Sequence, residues 1–340
     1  MTNRIIKKVL SALSHQALVR DMSVLFFSLA LMTNFAHSVE YPSGVVRIIV
    51  GFPPGNATDI VARVFAKQMS EAFNGAPFVV ENMVGAAGSI GTAAVAKATP
   101  NGLTLLVGSV GTLAMNPWLI KNLPYDPAKD FAPLAQLASV PMYVTVQSTL
   151  PVNSFTDLVA LAKQKPGVLN FGSSGNGSAN HLIAAVVAST SSIDITHIPY
   201  KGSAPAVTDL LAGRLSLMVE TAPAVLPHVK SGKLKILAVT KPTRTAILPD
   251  VLTLSESGYP GFDAQAWIGF AAPAGTPREI LDVLGRTAAQ VVGSKLFAAK
   301  MVELGLEPMA STSPAQFGSY LNGEIKRWGT VTERIGIVRE

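Results

Sequence analysis

The sequence predicts an α/β fold of two domains with mostly parallel sheets, and three observations carry that prediction. Short β-branched runs alternate with segments of helical periodicity from Val45 to about Trp328. That alternation breaks twice, in a proline-interrupted run near residues 131–146 and in a proline- and glycine-rich stretch near 240–275. With 340 residues, 49% hydrophobic and 14% charged, the chain has ample apolar material for packed cores and too little charge for disorder.

Val45-Val46-Arg47-Ile48-Ile49-Val50 reads as a buried strand. Behind a Gly-Pro-rich turn, Ile60, Val61, Val64, Phe65, Met69 and Phe73 recur at helical spacing. The unit repeats in Phe78-Val79-Val80 with a helix after Gly88, and again in Leu103 to Val107 with a loop from Gly108 to Asn116. Residues 131–146, interrupted by Pro133 and Pro141, read as one strand that crosses into a second domain. There the alternation resumes: helix Thr156 to Lys165, strand Leu169 to Phe171, helix Ala179 to Ser189, strand Ile195 to Ile198, helix Ala204 to Gly213, strand Leu215 to Val219. A short helix ending at Lys230 leads to strand Leu234 to Val239. Residues 240–275 show no clear helix and carry the chain back, and Arg278 to Val292 and Pro314 to Trp328 read as helices. The expected division is 1–38 as a leader, 39–138 plus 266–340 as the first domain and 139–265 as the second, with a cleft between the two.

The formal charge of +6 does not indicate a nucleic-acid binder. Arg4, Lys7, Lys8 and Arg20 against Asp21 account for half of that excess, and the remaining basic residues form no cluster. The same N-terminal residues precede an apolar run, Val24 to Met32, and the small-x-small triplet Ala36-His37-Ser38. This is the pattern of a secretory signal with a cut after Ser38. The apolar run is about half of the roughly 20 residues a membrane span needs. The expected product is soluble and outside the cytoplasm.

The absence of cysteine removes disulfides, thiol nucleophiles and cysteine-based metal sites. Gly172-Ser173-Ser174-Gly175-Asn176 departs from the nucleophile elbow at its fifth position, and neither a P-loop nor an H-E-x-x-H motif occurs. Beyond residue 38 the histidines are His181, His197 and His228, without metal-type spacing. His197 reads as a hydrogen-bonded structural residue in its strand, and His181 as a first-turn surface residue. No catalytic residue, cofactor or metal is expected.

Two loops at the carboxyl ends of strands carry the binding signal. Gly51-Phe52-Pro53-Pro54-Gly55-Asn56-Ala57-Thr58-Asp59 and Gly172-Ser173-Ser174-Gly175-Asn176-Gly177-Ser178 each deliver a helix N-terminus to the cleft. Unpaired N–H groups and a partial positive charge there suit a carboxylate or phosphate. Tyr200-Lys201-Gly202 ends a third strand, and Lys201 reads either as a ligand charge or as a solvated surface lysine. Asp59, in a helix first turn, is equally readable as a cap or a ligand contact.

Further motifs carry a family resemblance. Phe52-Pro53-Pro54-Gly55 with Asp59, Glu81 to Gly91 (ENMVGAAGSIG), Pro199-Tyr200-Lys201-Gly202, Gly232-Lys233-Leu234, Leu248-Pro249-Asp250, Glu256 to Phe262 and Trp267 to Pro277 (WIGFAAPAGTP) resemble the Bug family. These are periplasmic solute-binding receptors of tripartite tricarboxylate transporters. The resemblance implies a periplasmic-binding-protein (Venus flytrap) fold that closes on a small carboxylated solute, held by backbone amides and ordered waters. It implies ligand contacts at Phe52, Pro54, Gly55, Asn56, Thr58 and Asp59; at Ser173, Ser174, Gly175, Asn176, Gly177 and Ser178; at Tyr200, Lys201 and Gly202; and at Ser109 and Thr112. It also implies membrane transporter subunits as partners and a monomeric receptor.

Three positions depart from the family pattern. Asn56 replaces a second glycine, which restricts the backbone and brings a side chain toward the pocket. Glu220 stands where relatives have aspartate, giving a smaller or more acidic pocket floor. Asn101 replaces aspartate before Gly102, a turn change only. About four or five amide bonds to a carboxylate, at roughly 1.5–3 kcal/mol each, reach the about 8 kcal/mol of micromolar binding before ordering costs. A periplasmic sensor signalling to a histidine kinase is the alternative reading, and a hydrolase built on Ser173 or Ser174 the least favoured.

Overall fold

In the computed structural model of the chain, residues 41–310, 312–334, 336 and 339 are described. The N-terminal segment read as a leader, with its cut after Ser38, lies outside them. β1 (Val46–Val50) leads into α1 (Ala57–Ala72), β2 (Phe78–Asn82) into α2 (Ser89–Ala96), and β3 (Thr104–Ser109) into a π-helical turn (Gly111–Met115) and the short α3 (Asn116–Leu119). β4 (Phe131–Val140) is followed by β5 (Met142–Gln147), α4 (Phe155–Gln164), β6 (Asn170–Ser173) and α5 (Ala179–Ser191). Then come β7 (Thr196–Pro199), α6 (Ser203–Leu211), β8 (Leu217–Thr221), α7 (Ala222–Lys230) and β9 (Leu234–Val239). β10 (Ala266–Pro273), α8 (Arg278–Val292), α9 (Lys295–Glu303), β11 (Glu307–Pro308) and α10 (Pro314–Arg334) complete the order.

The strands form two sheets, one ordered β11-β4-β10-β3-β1-β2 and the other β7-β6-β8-β5-β9. Both are mixed, which corrects the expectation of mostly parallel pairing. The β-α-β units pair in parallel, β1 with β2 and β3, and β6 with β7 and β8. The remaining pairs are antiparallel: β10 against β3 and β4, β11 against β4, and β5 against β8 and β9.

The single strand expected over residues 131–146 is two strands. Pro141, which lacks an N–H, separates β4 from β5, and each belongs to a different sheet. Pro133 stays inside β4, where the register with β10 shifts between Phe270 and Ala271. The return crossing is tied to the outward one by Thr240. Its N–H donates to Met142 O at 2.9 Å and its hydroxyl to Ala264 O at 2.6 Å.

The sequence reading missed β10 and α9. All eight β10 residues are buried, because the strand lies between β3 and β4 with both faces covered, so it shows no alternation. α9 buries Phe297 and Met301, too few positions for a periodic signal. Phe297 and Phe270 meet Phe65 edge-on at centroid distances of 6.2 and 4.9 Å, so α9, β10 and α1 share one core. Trp267 and Trp328 are both fully buried and direct their indole N–H groups to Glu324 Oε2 at 2.9 and 3.3 Å.

Candidate functional site

The helix starts at the two glycine-rich loops are built differently. Asn56, at φ −70°, caps α1 by accepting the Thr58 N–H on Oδ1 at 2.8 Å. Gly55 takes the positive φ of 83° in that turn, so asparagine at 56 meets no backbone restriction. In the second loop the cap is Ser178, two residues after Asn176.

Asp59 anchors the first loop from behind. Its carboxylate accepts the Gly55 N–H at 2.9 Å, Asn82 Nδ2 at 2.9 Å and Arg63 Nε at 3.1 Å. Burial pushes the Asp59 carboxyl up, but these donors and the Arg63 charge outweigh it and hold the group below its ordinary range. Gly51 lets the loop lie against its neighbour, since a Cβ there would come within 2.5 Å of Gly88 O.

In the second loop Ser173 is fully buried, 2.6 Å from His197 Nε2 and within 3.1 Å of Gly175 N and O. Ser174 reaches Asn180 Oδ1 through both its N–H and its hydroxyl, at 3.2 and 2.9 Å. Ser178 Oγ lies 2.6 Å from Gly175 O and 2.7 Å from Asn180 Oδ1. His181 is half-buried rather than an open surface residue. Its ring stacks on His197 at 3.9 Å, His197 stacks on Phe171 at 4.8 Å, and His181 Nδ1 accepts the Gly177 N–H at 3.2 Å. Burial, with the neighbouring His197, pulls His181 down to about 4, and burial pulls His197 down to about 4. No hydrogen bond among the described residues joins either ring to a carboxylate, so the Ser173–His197 pair lacks the third group of a triad.

The two helix N-termini open on one inner cavity between the sheets. The first loop and α1 supply Phe52, Asn56, Ala57 and Thr58; the second loop and α5 supply Ser174, Ser178, Ala179 and Asn180. Ser109, Ser203, Glu220 and Thr221 add polar groups, while Val140, Met142, Ala266, Trp267 and Ile268 close it at the crossings. The space open to the centre of a water-sized body is about 50 Å³, where one water needs about 10–15 Å³. That suits a carboxylate and a few waters. Glu220 is the one charged residue in this lining.

Two outer cavities continue the cleft, of about 210 and 430 Å³. Pro54, Gly55 and Lys201 line the smaller, and Gly175, Asn176, Tyr200, Lys201 and Gly202 the larger. Lys201 is exposed there, and the Tyr200 hydroxyl is occupied by Asp209 Oδ2 at 2.7 Å. Of the expected ligand residues, Asp59, Thr112, Ser173 and Gly177 line none of these cavities. Thr112 bonds to Ser109 N and O at 3.1 and 3.2 Å, so these four support the lining from behind. Asn180, Ser203 and Thr221 were missed; each sits one or two residues inside or before a helix, where a cap motif is the only sequence signal. The crossing residues are visible only in the topology.

Two mixed α/β sheets joined by two crossings, with paired helix N-termini on the cavity between them, define the fold of a periplasmic solute-binding receptor. The sequence profile of the tripartite tricarboxylate transporter family receptors matches residues 61–337, and the chain belongs to that family. It is 37% identical to BugT of Bordetella pertussis over 297 residues, 87% of this chain and 90% of that protein. An R. palustris protein solved with adipate superposes with a TM-score of 0.84 at 37% identity, covering 88% of this chain and all (100%) of that one. MatC of Rhodopseudomonas palustris, solved with bound malate, gives a TM-score of 0.80 at 30% identity over 86% of this chain and 99% of that one. Among the described residues no helix is long and apolar enough to cross a membrane.

Proposed function

We propose that this protein is a periplasmic receptor, released by cleavage near Ser38, that captures a small carboxylate in its inner cavity and delivers it to a tripartite tricarboxylate-type membrane transporter. The observation that carries this reading is the convergence of two capped helix N-termini, at Asn56 to Thr58 and Ser178 to Asn180, on one cavity with no lysine or arginine in its lining. Unpaired backbone N–H groups there grip an oxyanion without a formal cation. The adipate and malate bound to the two R. palustris relatives support the chemical class. No covalent step belongs to this function.

The two lobes, 39–138 plus 266–340 and 139–265, close over the solute by bending at the crossings. Phe52, Asn56, Thr58, Ser109, Ser174 and Ser178 form the inner contacts, and Pro54, Gly55, Gly175, Asn176, Tyr200, Lys201 and Gly202 the outer rim. A thermal-shift screen against carboxylates, amino acids, sugars and phosphate esters, followed by calorimetry, tests this. A solute at about a hundred times its dissociation constant adds about 2.7 kcal/mol to the stability. A shift confined to carboxylates is expected; shifts with sugars alone would refute the reading.

A further inference from the structure

Glu220 is the one charged group in the inner cavity and has 3% of its surface exposed. Its Oε1 accepts the Thr221 N–H at 2.8 Å and the Thr221 hydroxyl at 3.2 Å, and its Oε2 accepts Asn180 Nδ2 at 2.8 Å. No ion pair reaches it among the described residues. Oε2 accepts from one donor and Oε1 from two, which leaves room on Oε2 for a proton of its own. From the other sheet, Ser109 lines the same cavity at 7% exposure, and its Oγ has no hydrogen-bond partner. A buried hydroxyl without a partner is costly and calls for a polar ligand atom.

A carboxylate solute beside an ionised Glu220 would put two negative charges into this small cavity without a cation. Like charges at such range force one group to hold a proton. Burial, opposed by the hydrogen bonds from Thr221 and Asn180, pushes the Glu220 carboxyl above its ordinary range in the same direction. The titratable and charged groups on the elements packed against β8 are otherwise occupied or remote. Tyr143, opposite Glu220 in the β5 register, bonds Thr245; His181 on α5 accepts from Gly177; Asp209 on α6 holds Tyr200 and Arg214. Lys201 is exposed, and His228 and Lys230 sit in the last turn of α7.

We propose that Glu220 stands in the cleft as a neutral carboxylic acid, and that its Oε2–H, with the Ser109 hydroxyl, selects solutes whose second polar group is an oxygen acceptor over solutes bearing an ammonium. The assignment rests on the receptor reading above and adds to it the residue that distinguishes a dicarboxylate from an amino acid.

The test compares wild type with Glu220→Gln, which removes the carboxyl group and with it the oxygen that accepts from Asn180 Nδ2. Infrared difference spectra of the purified protein at pH 7, with and without adipate, are expected to show a carboxylic-acid C=O band that Glu220→Gln lacks. Carboxylate bands alone would overturn the assignment. By calorimetry, adipate is expected to bind at least about tenfold more tightly than 6-aminohexanoate, an analogue of similar length in which an ammonium-bearing CH₂NH₃⁺ end replaces one carboxylate. Tighter binding of 6-aminohexanoate would refute the proposal. If neither compound binds wild type, the receptor reading fails for this solute class, and the infrared band alone decides Glu220. Should Glu220→Gln not fold, Glu220→Asp serves the infrared comparison, where the band must shift.

Discussion

The side-chain oxygen of Asn56 accepts the Thr58 N–H at 2.8 Å while the same residue lines the inner cavity. One side chain thus caps a helix and faces the solute. Asn56→Asp separates the two roles, since aspartate caps as well as asparagine but brings a negative charge to an anion site. The melting temperature is expected to stay within about 1–2 °C, a few tenths of a kcal/mol. Carboxylate affinity is expected to fall about tenfold or more, equivalent to at least about 1.4 kcal/mol. Unchanged affinity by calorimetry would show that the Asn56 side chain lies away from the solute.

Gly51 is set by contact rather than by turn geometry. Its Cβ position lies 2.5 Å from Gly88 O and 2.7 Å from Gly88 Cα, backbone atoms that cannot rotate away. Gly51→Ala is expected to cost about 1–3 kcal/mol and to lower the melting temperature by several degrees, read by calorimetry. A variant as stable as wild type would show that the 85–88 loop yields freely.

The stacked histidines give stability a pH dependence of known sign. Both are pulled down to about 4 in the fold, against an unfolded value near 6.5. The unfolded chain therefore binds more protons between these values, so stability is complete above about pH 6.5 and is lost as pH falls toward 4. Melting temperatures from pH 7.5 to 4.5 are expected to fall across that window. In His181→Asn, which removes one member of the pair, the fall is expected to be shallower. An identical slope in the variant would assign the effect to other groups.

Thr240 ties the return crossing to the outward one. Thr240→Val keeps the shape and removes the hydroxyl that reaches Ala264 O at 2.6 Å and Met142 O, on the outward strand, at 3.2 Å. A loss of about 1 kcal/mol of stability is expected, together with a changed solute affinity if the lobes bend at this point. Calorimetric unfolding and binding measured on the same variant check both, and an unaltered affinity would place the hinge elsewhere.

How much was legible can be judged from individual residues. Val46 to Val50 and the Val61, Phe65 and Met69 face of α1 follow directly from periodicity, because each buries a regular face. Both glycine-rich loops were legible as helix starts, since caps and turns are local chemistry. β10 was not, because a strand covered on both faces loses its alternation. His181 was misplaced to the surface because its partner, His197, is distant in sequence and reaches it only through the pairing of β6 with β7.

The sequence alone determined the α/β alternation, the two breaks that became crossings, the two loops that offer N–H groups to an anion, and the motifs of the receptor family. Those are properties of short stretches, in which periodicity, capping and turn chemistry act over a few residues. Only the tertiary structure decided that Asp59 and Ser173 brace the loops from behind, and that Glu220 and Ser109 arrive in one cavity from different sheets. Burial and the distance between remote side chains are set by how the sheets are ordered and joined, and no local pattern encodes that.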